Sequence, residues 1–387
     1  MARVGGRRDG RRGRGDRGPE CSGGPADHRR PHRASSRRLD VNRRQGAVWR
    51  DHDGSSAHPR GNIGTILLAD RRQIAVIVDL AVVGAIALDE IHSQAGDIDQ
   101  VLGGSAVYAS LAASILARAA PISVIGDDFD RTLLQPLIDR GVNLSGIAHV
   151  EGPNFRWGCR YSSDGDVRET LYTRAGVYDT HPIVVDEAIR HAPYVLLTAG
   201  NPDQNHRAMT QMVEPELVAI DTIEREVAER REEFRDQLRY ADIVSINTLE
   251  AAHLIQWQGE QDDPGLPAAA WSVIRSLGPS VFIHKKASQG VEIFEGDRLT
   301  RVSAVPGIHV IDPTGAGDTF IGALLSAVAR GCDLVEGAVW GCAAASFAIE
   351  QFGIEAICLA TRELVADRTS LITVDNVPAS TLFQSSR

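Results

Sequence analysis

Residues 74–87 read IAVIVDLAVVGAIA, a run of Val, Ile, Leu and Ala interrupted by Asp79 and Gly84. Such a run suits a strand buried on both faces of a sheet. It is too short and too interrupted to cross a membrane as a helix, so no membrane partner is expected. Gly103 and Gly104 then open a helical stretch, SAVYASLAASILARA, whose small residues permit close packing on a sheet. Residues 121–126, PISVIG, read as the next strand, and a helix is expected across Asp127–Arg140. This alternation predicts a mostly parallel sheet with helices on its faces.

Outward from that unit the pattern changes. Residues 148–176 hold short alternating pieces around a turn at Ser163–Asp166 and read as a small antiparallel insertion. Alternation returns at Tyr194–Leu197, Leu217–Asp221 and Ile243–Ile246. A charged helical run at residues 223–239 is expected to form a solvated face. VFIHK at 281–285 reads as a strand, VEIFEG at 291–296 with LTRVSAV at 299–305 as a hairpin, and helices are expected over Thr319–Arg330 and Leu334–Gln351.

A chain of 387 residues can hold one large α/β domain or two ordinary ones. With 43% hydrophobic and only 5% aromatic residues, its core must be filled by Ala, Val, Ile and Leu. The net charge of −10 hides a split: residues 1–60 carry 16 Arg against 7 acidic residues, +9, which leaves −19 on the remainder. The basic arm could tether an anionic surface. Its Arg, Gly, Ser and Pro, without periodic apolar residues, suit a disordered or spurious extension better. The acidic body argues against nucleic acid as the main partner. The five Cys form no CxxC pair and no zinc-like spacing, and no secretory signal is evident, so a reducing cytoplasm is the simplest compartment.

The strongest chemical signal is DPTGAGDTF, residues 312–320. Gly315 and Gly317 permit a sharp turn, so that backbone N–H groups from Gly315 through Ala316 and Gly317 to Asp318 can converge at the start of the following helix. Such a terminus is a ready anion hole. A phosphoryl group would be stabilised there as negative charge develops, with Asp318 placed to take a proton from an attacking hydroxyl. Thr314 or Asp318 capping an ordinary helix would explain the same residue types. The run lacks the Gly-Lys-Ser/Thr ending of a Walker A loop.

The DPTGAGDTF run resembles the C-terminal signature of the PfkB carbohydrate kinases, the ribokinase-like family, and Gly103-Gly104 resembles its N-terminal di-glycine. The resemblance covers about residues 72–366, leaving 1–71 as a basic extension and 367–387 as a C-terminal tail. It implies a doubly wound, mostly parallel sheet with helices on both faces and a small β-sheet lid, here the insertion at 148–176. It implies ATP-dependent transfer of the γ-phosphate to a hydroxyl of a sugar, polyol or nucleoside.

Carried over by residue, the resemblance makes Asp318 the catalytic base and Gly315, Ala316 and Gly317 the anion hole. Asp89, with Gly103 and Gly104, would bind the acceptor. Asn247 and Glu250, in SINTLE, resemble the Asn-x-x-Glu motif that organises Mg2+ and phosphate, with Glu250 acting through water. Thr314, Lys285 and Gly290 fall on the nucleotide side. Each of Asp89 and Glu250 also suits a helix or turn terminus.

Two departures stand out. Tyr108 occupies a position where ribokinase-like motifs often carry Asn, so it either lines an altered pocket or packs helix against sheet. The usual Thr-x-Gly-x-x-Gly appears as Lys285-Lys286-Ala287-Ser288-Gln289-Gly290, which holds the chain's only two lysines. Both departures motivate an alternative, a catalytically silent ligand-binding or regulatory protein of the same fold. Arg156, Trp157 and Tyr161 are the lid's candidate acceptor contacts. The lid edge could pair two copies as a homodimer or stay short and protected.

Overall fold

The structure is a computed structural model that describes residues 78–94, 96–161 and 168–377. The basic arm and the beginning of the opening apolar run lie outside the described residues.

In chain order the strands are β1 (Leu80–Val83), β2 (Ala87–Ser93), β3 (Gly96–Gly103), β4 (Ala119–Ile125), β5 (Ile147–His149), β6 (Phe155–Tyr161), β7 (Arg168–Arg174), β8 (Tyr194–Leu197), β9 (Leu217–Asp221), β10 (Ile243–Asn247), β11 (Val281–Lys285), β12 (Val291–Glu295), β13 (Arg298–Val302) and β14 (Val374–Val377). Ten form one sheet in the order β14-β13-β12-β11-β10-β9-β8-β1-β4-β5. Neighbours from β5 to β11 pair parallel, and β12, β13 and β14 add an antiparallel edge.

Side chains alternate across this sheet as the strand period requires. Leu80 and Val82 join the core beneath helices Ser105–Ala113, Ala316–Ala329 and Leu334–Ala348. Ala81 and Val83 join the opposite core, with helices Thr248–Ile255 and Leu266–Leu277. Burial on both faces explains why these strands read as unbroken apolar runs. Helices Ser105–Ala113 and Ala316–Ala329 touch backbone to backbone: a Cβ on Gly322 would fall 2.3 Å from the Ala109 carbonyl oxygen. The small residues noted in the sequence permit that approach.

The small sheet runs β3-β2-β6-β7. Two of its strands come from the expected insertion at 148–176, and two from residues 87–103, which the sequence did not mark as lid. Its own small core joins Ile91, Cys159 and Tyr161 with Trp157 and with Phe352 from the main body.

Other differences are local. The helix expected across Asp127–Arg140 is a 3₁₀ turn, Arg131–Leu134, followed by a short helix, Gln135–Asp139, with Pro136 at its start. The charged run breaks into Glu224–Glu229 and Arg231–Gln237. The expected tail begins inside the domain: helix Arg362–Thr369 leads to β14, which pairs with β13, and residues 378–387 lie outside the described residues. Among the described residues no helix is long and apolar enough to cross a membrane.

Candidate active site

Three neighbouring parallel strands deliver the first group of side chains. Asp221, Asn247 and Lys285 end β9, β10 and β11, with Ser245 in register with Asp221 and Asn247 with Lys285. Ligands of open α/β sheets bind at this carboxyl edge. Lys285 Nζ donates to both carboxylate oxygens of Asp221, at 2.6 and 2.8 Å. Burial disfavours the ammonium ion, but Asp221 above all, then Glu250 and Asp318, outweigh it and hold Lys285 above the usual lysine range.

Asn247 and Glu250 form a reciprocal capping box at the next helix. Asn247 Oδ1 accepts from the Glu250 N–H at 2.9 Å, and a Glu250 carboxylate oxygen accepts from the Asn247 N–H at 2.8 Å. The pair therefore fixes a helix entry, and that entry holds the Glu250 carboxylate beside Lys285. Gly290 acts through its backbone, since φ is 86° and a Cβ would fall 2.1 Å from the Val302 carbonyl oxygen. Lys286 turns away from Lys285 and reaches Glu292 at 3.6 Å.

The second group is the turn at 312–318. Asp312 is fully buried and organises it: its carboxylate accepts from the N–H groups of Thr314 at 2.9 Å and Gly353 at 3.1 Å. Gly315 is the N-cap residue, with φ 74°, so the cap position itself carries no side chain. Neither Thr314 nor Asp318 therefore occupies the N-cap position that the sequence left open. Asp318 lies in the first helical turn, and Thr314 shares a hydrogen bond with the Tyr161 hydroxyl at 2.9 Å. Gly315 needs more than its backbone angle, because a Cβ there would lie 2.4 Å from the Tyr108 ring. At Gly317 a Cβ would lie 3.1 Å from Lys285 Nζ. The glycines thus leave a cradle floored by an aromatic ring on one side and an ammonium ion on the other.

The third group sits under the lid. Asp89, on β2, is buried, and its carboxyl fills the space left by Gly103, where a Cβ would fall 1.9 Å from Oδ2. The di-glycine thus first makes room for Asp89, and Gly104, at φ 95°, turns the chain into the helix beside the Ala85 carbonyl. Asp89 Oδ1 has no hydrogen-bond partner among the described residues. Burial, then the charge of Asp312, push the Asp89 pKa up to about 8, with Asp318 adding to the rise and the Gly104 N–H opposing it.

Tyr108 is buried, and its hydroxyl also lacks a partner among the described residues. Burial first, and Asp312, Asp89, Tyr161 and Asp318 after it, keep the phenol protonated. Its ring packs against Gly315 in the turn at 312–318. Of the lid candidates, Arg156 is held by Asp128 at 3.0 Å, Trp157 joins the lid core, and Tyr161 reaches Thr314.

Asp318 is the meeting point. It lies within electrostatic reach of Lys285, Asp89 and Tyr108. Sequence reasoning missed Asp221. Its only local signal was a carboxylate at the end of the strand LVAID.

Comparison with known proteins identifies the family and the fold. The description "pfkB family carbohydrate kinase" matches residues 73–362. The chain is 24% identical over 266 residues to a cytidine kinase of Thermococcus kodakarensis, covering 67% of this chain and 92% of that protein. It is 25% identical over 258 residues to a nucleoside kinase of Methanothermobacter thermautotrophicus, covering 65% and 80%. The fold is similar to that of Arabidopsis thaliana ribokinase complexed with ribose and ATP, with TM-score 0.62 at 23% identity over 76% of this chain and 98% of that one. It is also similar to a nucleoside kinase of Methanocaldococcus jannaschii, with TM-score 0.60 at 21% identity over 76% and 98%. The matched span takes in the lid, most of the main sheet and the glycine turn at 312–318, and the chain belongs to the pfkB family of carbohydrate kinases.

Proposed function

We propose that this chain transfers the γ-phosphate of ATP to a hydroxyl of a sugar, polyol or nucleoside, with Asp318 as the general base. The observation that carries this reading is the place of Asp318 in the first turn of a helix whose neighbouring Gly317 lies against Lys285 Nζ, with the buried Asp89 also within its electrostatic reach. The turn of Gly315, Ala316 and Gly317 supplies the anion hole, where a helix terminus favours negative charge. Asp89 takes acceptor hydroxyls: its unpartnered Oδ1 is a buried polar atom that a ligand would satisfy. Gly103 and Gly104 give Asp89 its place, and Tyr108 supports the turn from below. The nucleotide belongs on the side of Thr314, Lys285 and Asn247, with Gly290 shaping the turn after β11. Glu250 suits Mg2+ through water, since that ion keeps several of its waters and takes oxygen ligands. The ion would supply charge neutralisation between phosphates.

Relatives named as nucleoside and cytidine kinases, and a ribokinase neighbour, support a sugar or nucleoside acceptor. The test is an ATP-dependent phosphorylation screen across sugars, polyols and nucleosides with product mass detection. The wild type should phosphorylate at least one acceptor. D318N should fold and bind but lose about 10²–10⁴-fold in single-turnover rate, the usual worth of a general base. Near-wild-type transfer by D318N would remove Asp318 from that role. No product with any acceptor would favour a silent binding protein.

A further inference from the structure

We propose that the Asp221–Lys285 pair is a catalytic clamp: Lys285 touches the phosphoryl group in transfer, and Asp221 is the positioning residue that aims it. The inference rests on the kinase reading above and adds to it a cation and its holder.

Four observations converge. Lys285 Nζ makes two hydrogen bonds, both to Asp221. An ammonium ion has three donors, so one N–H is unclaimed among the described residues. That nitrogen lies 3.1 Å from where a Cβ of Gly317 would be, so the glycine leaves the cation close against the anion-hole turn. Asp221 Oδ2 lies 3.8 Å from the same point, too close for the clamp to be a remote surface pair. Finally, Lys285 and Asp221 end strands that flank β10, so two rigid strands fix their separation.

A buried ion pair of this kind adds little to stability, because desolvation offsets most of the attraction. Its physical use is to hold a desolvated charge ready where charge develops. In the step itself, the acceptor oxygen forms a bond to the γ-phosphorus while its proton passes to the Asp318 carboxylate. The bond from that phosphorus to the bridging oxygen breaks, and its electron pair leaves with ADP. Lys285 transfers no proton. It donates a hydrogen bond to an oxygen of the moving phosphoryl group, and Asp221 keeps it from swinging to the outer phosphates.

The test is single-turnover transfer from MgATP to the acceptor that the screen shows is turned over fastest, in wild type, K285A, K285M and D221N. K285M keeps the apolar stem, so a folding defect confined to K285A does not obscure the result. Both lysine variants should lose about 10²–10³-fold in rate, as for removal of one oxyanion-stabilising donor. Their ATP affinity should change far less than their rate. Added methylammonium or ethylammonium should restore K285A by at least about tenfold, saturably, and leave the wild type unchanged, which a purely structural lysine would not show. D221N should fall between, with its loss in kcat rather than in KM for ATP. Wild-type rates in K285M, a loss confined to ATP KM, or a folded K285A that amines do not restore would each overturn the clamp. If the wild type transfers nothing, the kinase reading falls and takes the clamp with it. If the wild type turns over and K285M keeps pace, only the clamp falls.

Discussion

The hydroxyl of Tyr161, on the lid, and the hydroxyl of Thr314, in the turn that opens helix Ala316–Ala329, lie 2.9 Å apart. One hydrogen bond thus ties the small sheet to the residue immediately before the proposed anion hole. Lid position and the geometry of the turn are therefore coupled through neighbouring atoms. In Y161F the ring remains to pack with Ile91 and Cys159, while the hydroxyl that bonds Thr314 is lost. A neutral hydrogen bond contributes about 0.5–1.5 kcal/mol net. Y161F should therefore raise the acceptor KM by roughly 2–10-fold, with a smaller change in ATP affinity. Initial rates across an acceptor titration measure this. An unchanged acceptor KM would show that the bond does not hold the lid.

The tight contact between Gly103 and Asp89 gives a second expectation. A methyl group at 103 would collide with Asp89 Oδ2, so in G103A the carboxyl must swing out of its place. Overpacking of a buried site costs about 1–3 kcal/mol. G103A should lower the melting temperature and weaken acceptor binding at least about tenfold, while ATP binding stays near normal. Calorimetric titration with each ligand separates the two. Equal losses for both ligands would mean that the glycine shapes the whole cleft and has no specific bearing on Asp89.

Much of this arrangement was legible in the sequence, and the reasons are physical. The strands ending at Leu197, Asp221 and Lys285 were readable because burial on both faces requires unbroken apolar runs. The turn at 312–320 was readable because few residue combinations make so sharp an entry to a helix. Strands β2 and β3 were not readable as lid, because β3 alternates around Asp97 and Asp99 with little apolar content and is partly exposed. The Asp221–Lys285 pair joins residues 64 apart in sequence across an intervening strand, and no local pattern encodes such a partner. Tyr108 was readable only as pocket lining or packing, because its contact with Gly315 joins residues far apart in sequence and leaves no local pattern.

Glu292 should govern part of the acid stability. It is buried on β12, which alone would raise its pKa. The hydrogen bonds from His284 and Arg301, then the charge of Lys286, more than reverse that and hold it at about 2, against an ordinary 4.5. A depressed carboxylate contributes stability that is present above the unfolded value and is lost as pH falls through the folded one. The window is therefore about pH 4.5 down to pH 2. The full effect is of order 3 kcal/mol. E292Q should be less stable than wild type at pH 7, and the gap should close as pH falls towards 2. Denaturant midpoints of both proteins across pH 2–7 provide the check. Parallel curves would assign the acid sensitivity to other groups.

Asp89 gives the opposite slope, and with it a test of the acceptor site. Its folded pKa of about 8 stands above the ordinary 3.8, chiefly through burial and then through Asp312. Between those values the folded protein holds a proton that the unfolded chain has released. The native state then binds more protons than the unfolded one, so stability falls as pH rises through this window and levels off above it. One proton corresponds to about 1.4 kcal/mol per pH unit. D89N has no such proton, so its stability advantage over wild type should grow from pH 5 to pH 8 and then stay constant. The same group predicts a signature in binding. Acceptor hydroxyls that donate to the carboxylate favour its ionised form, so binding should expel the proton held in the empty site. Wild-type acceptor affinity should rise with pH up to about 8, and calorimetry in buffers of different ionisation enthalpy should detect a released proton near pH 7. D89N should bind the acceptor weakly and without proton release. A wild-type protein that binds its acceptor with no pH dependence and no proton release would show that Asp89 is not the hydroxyl-binding carboxylate.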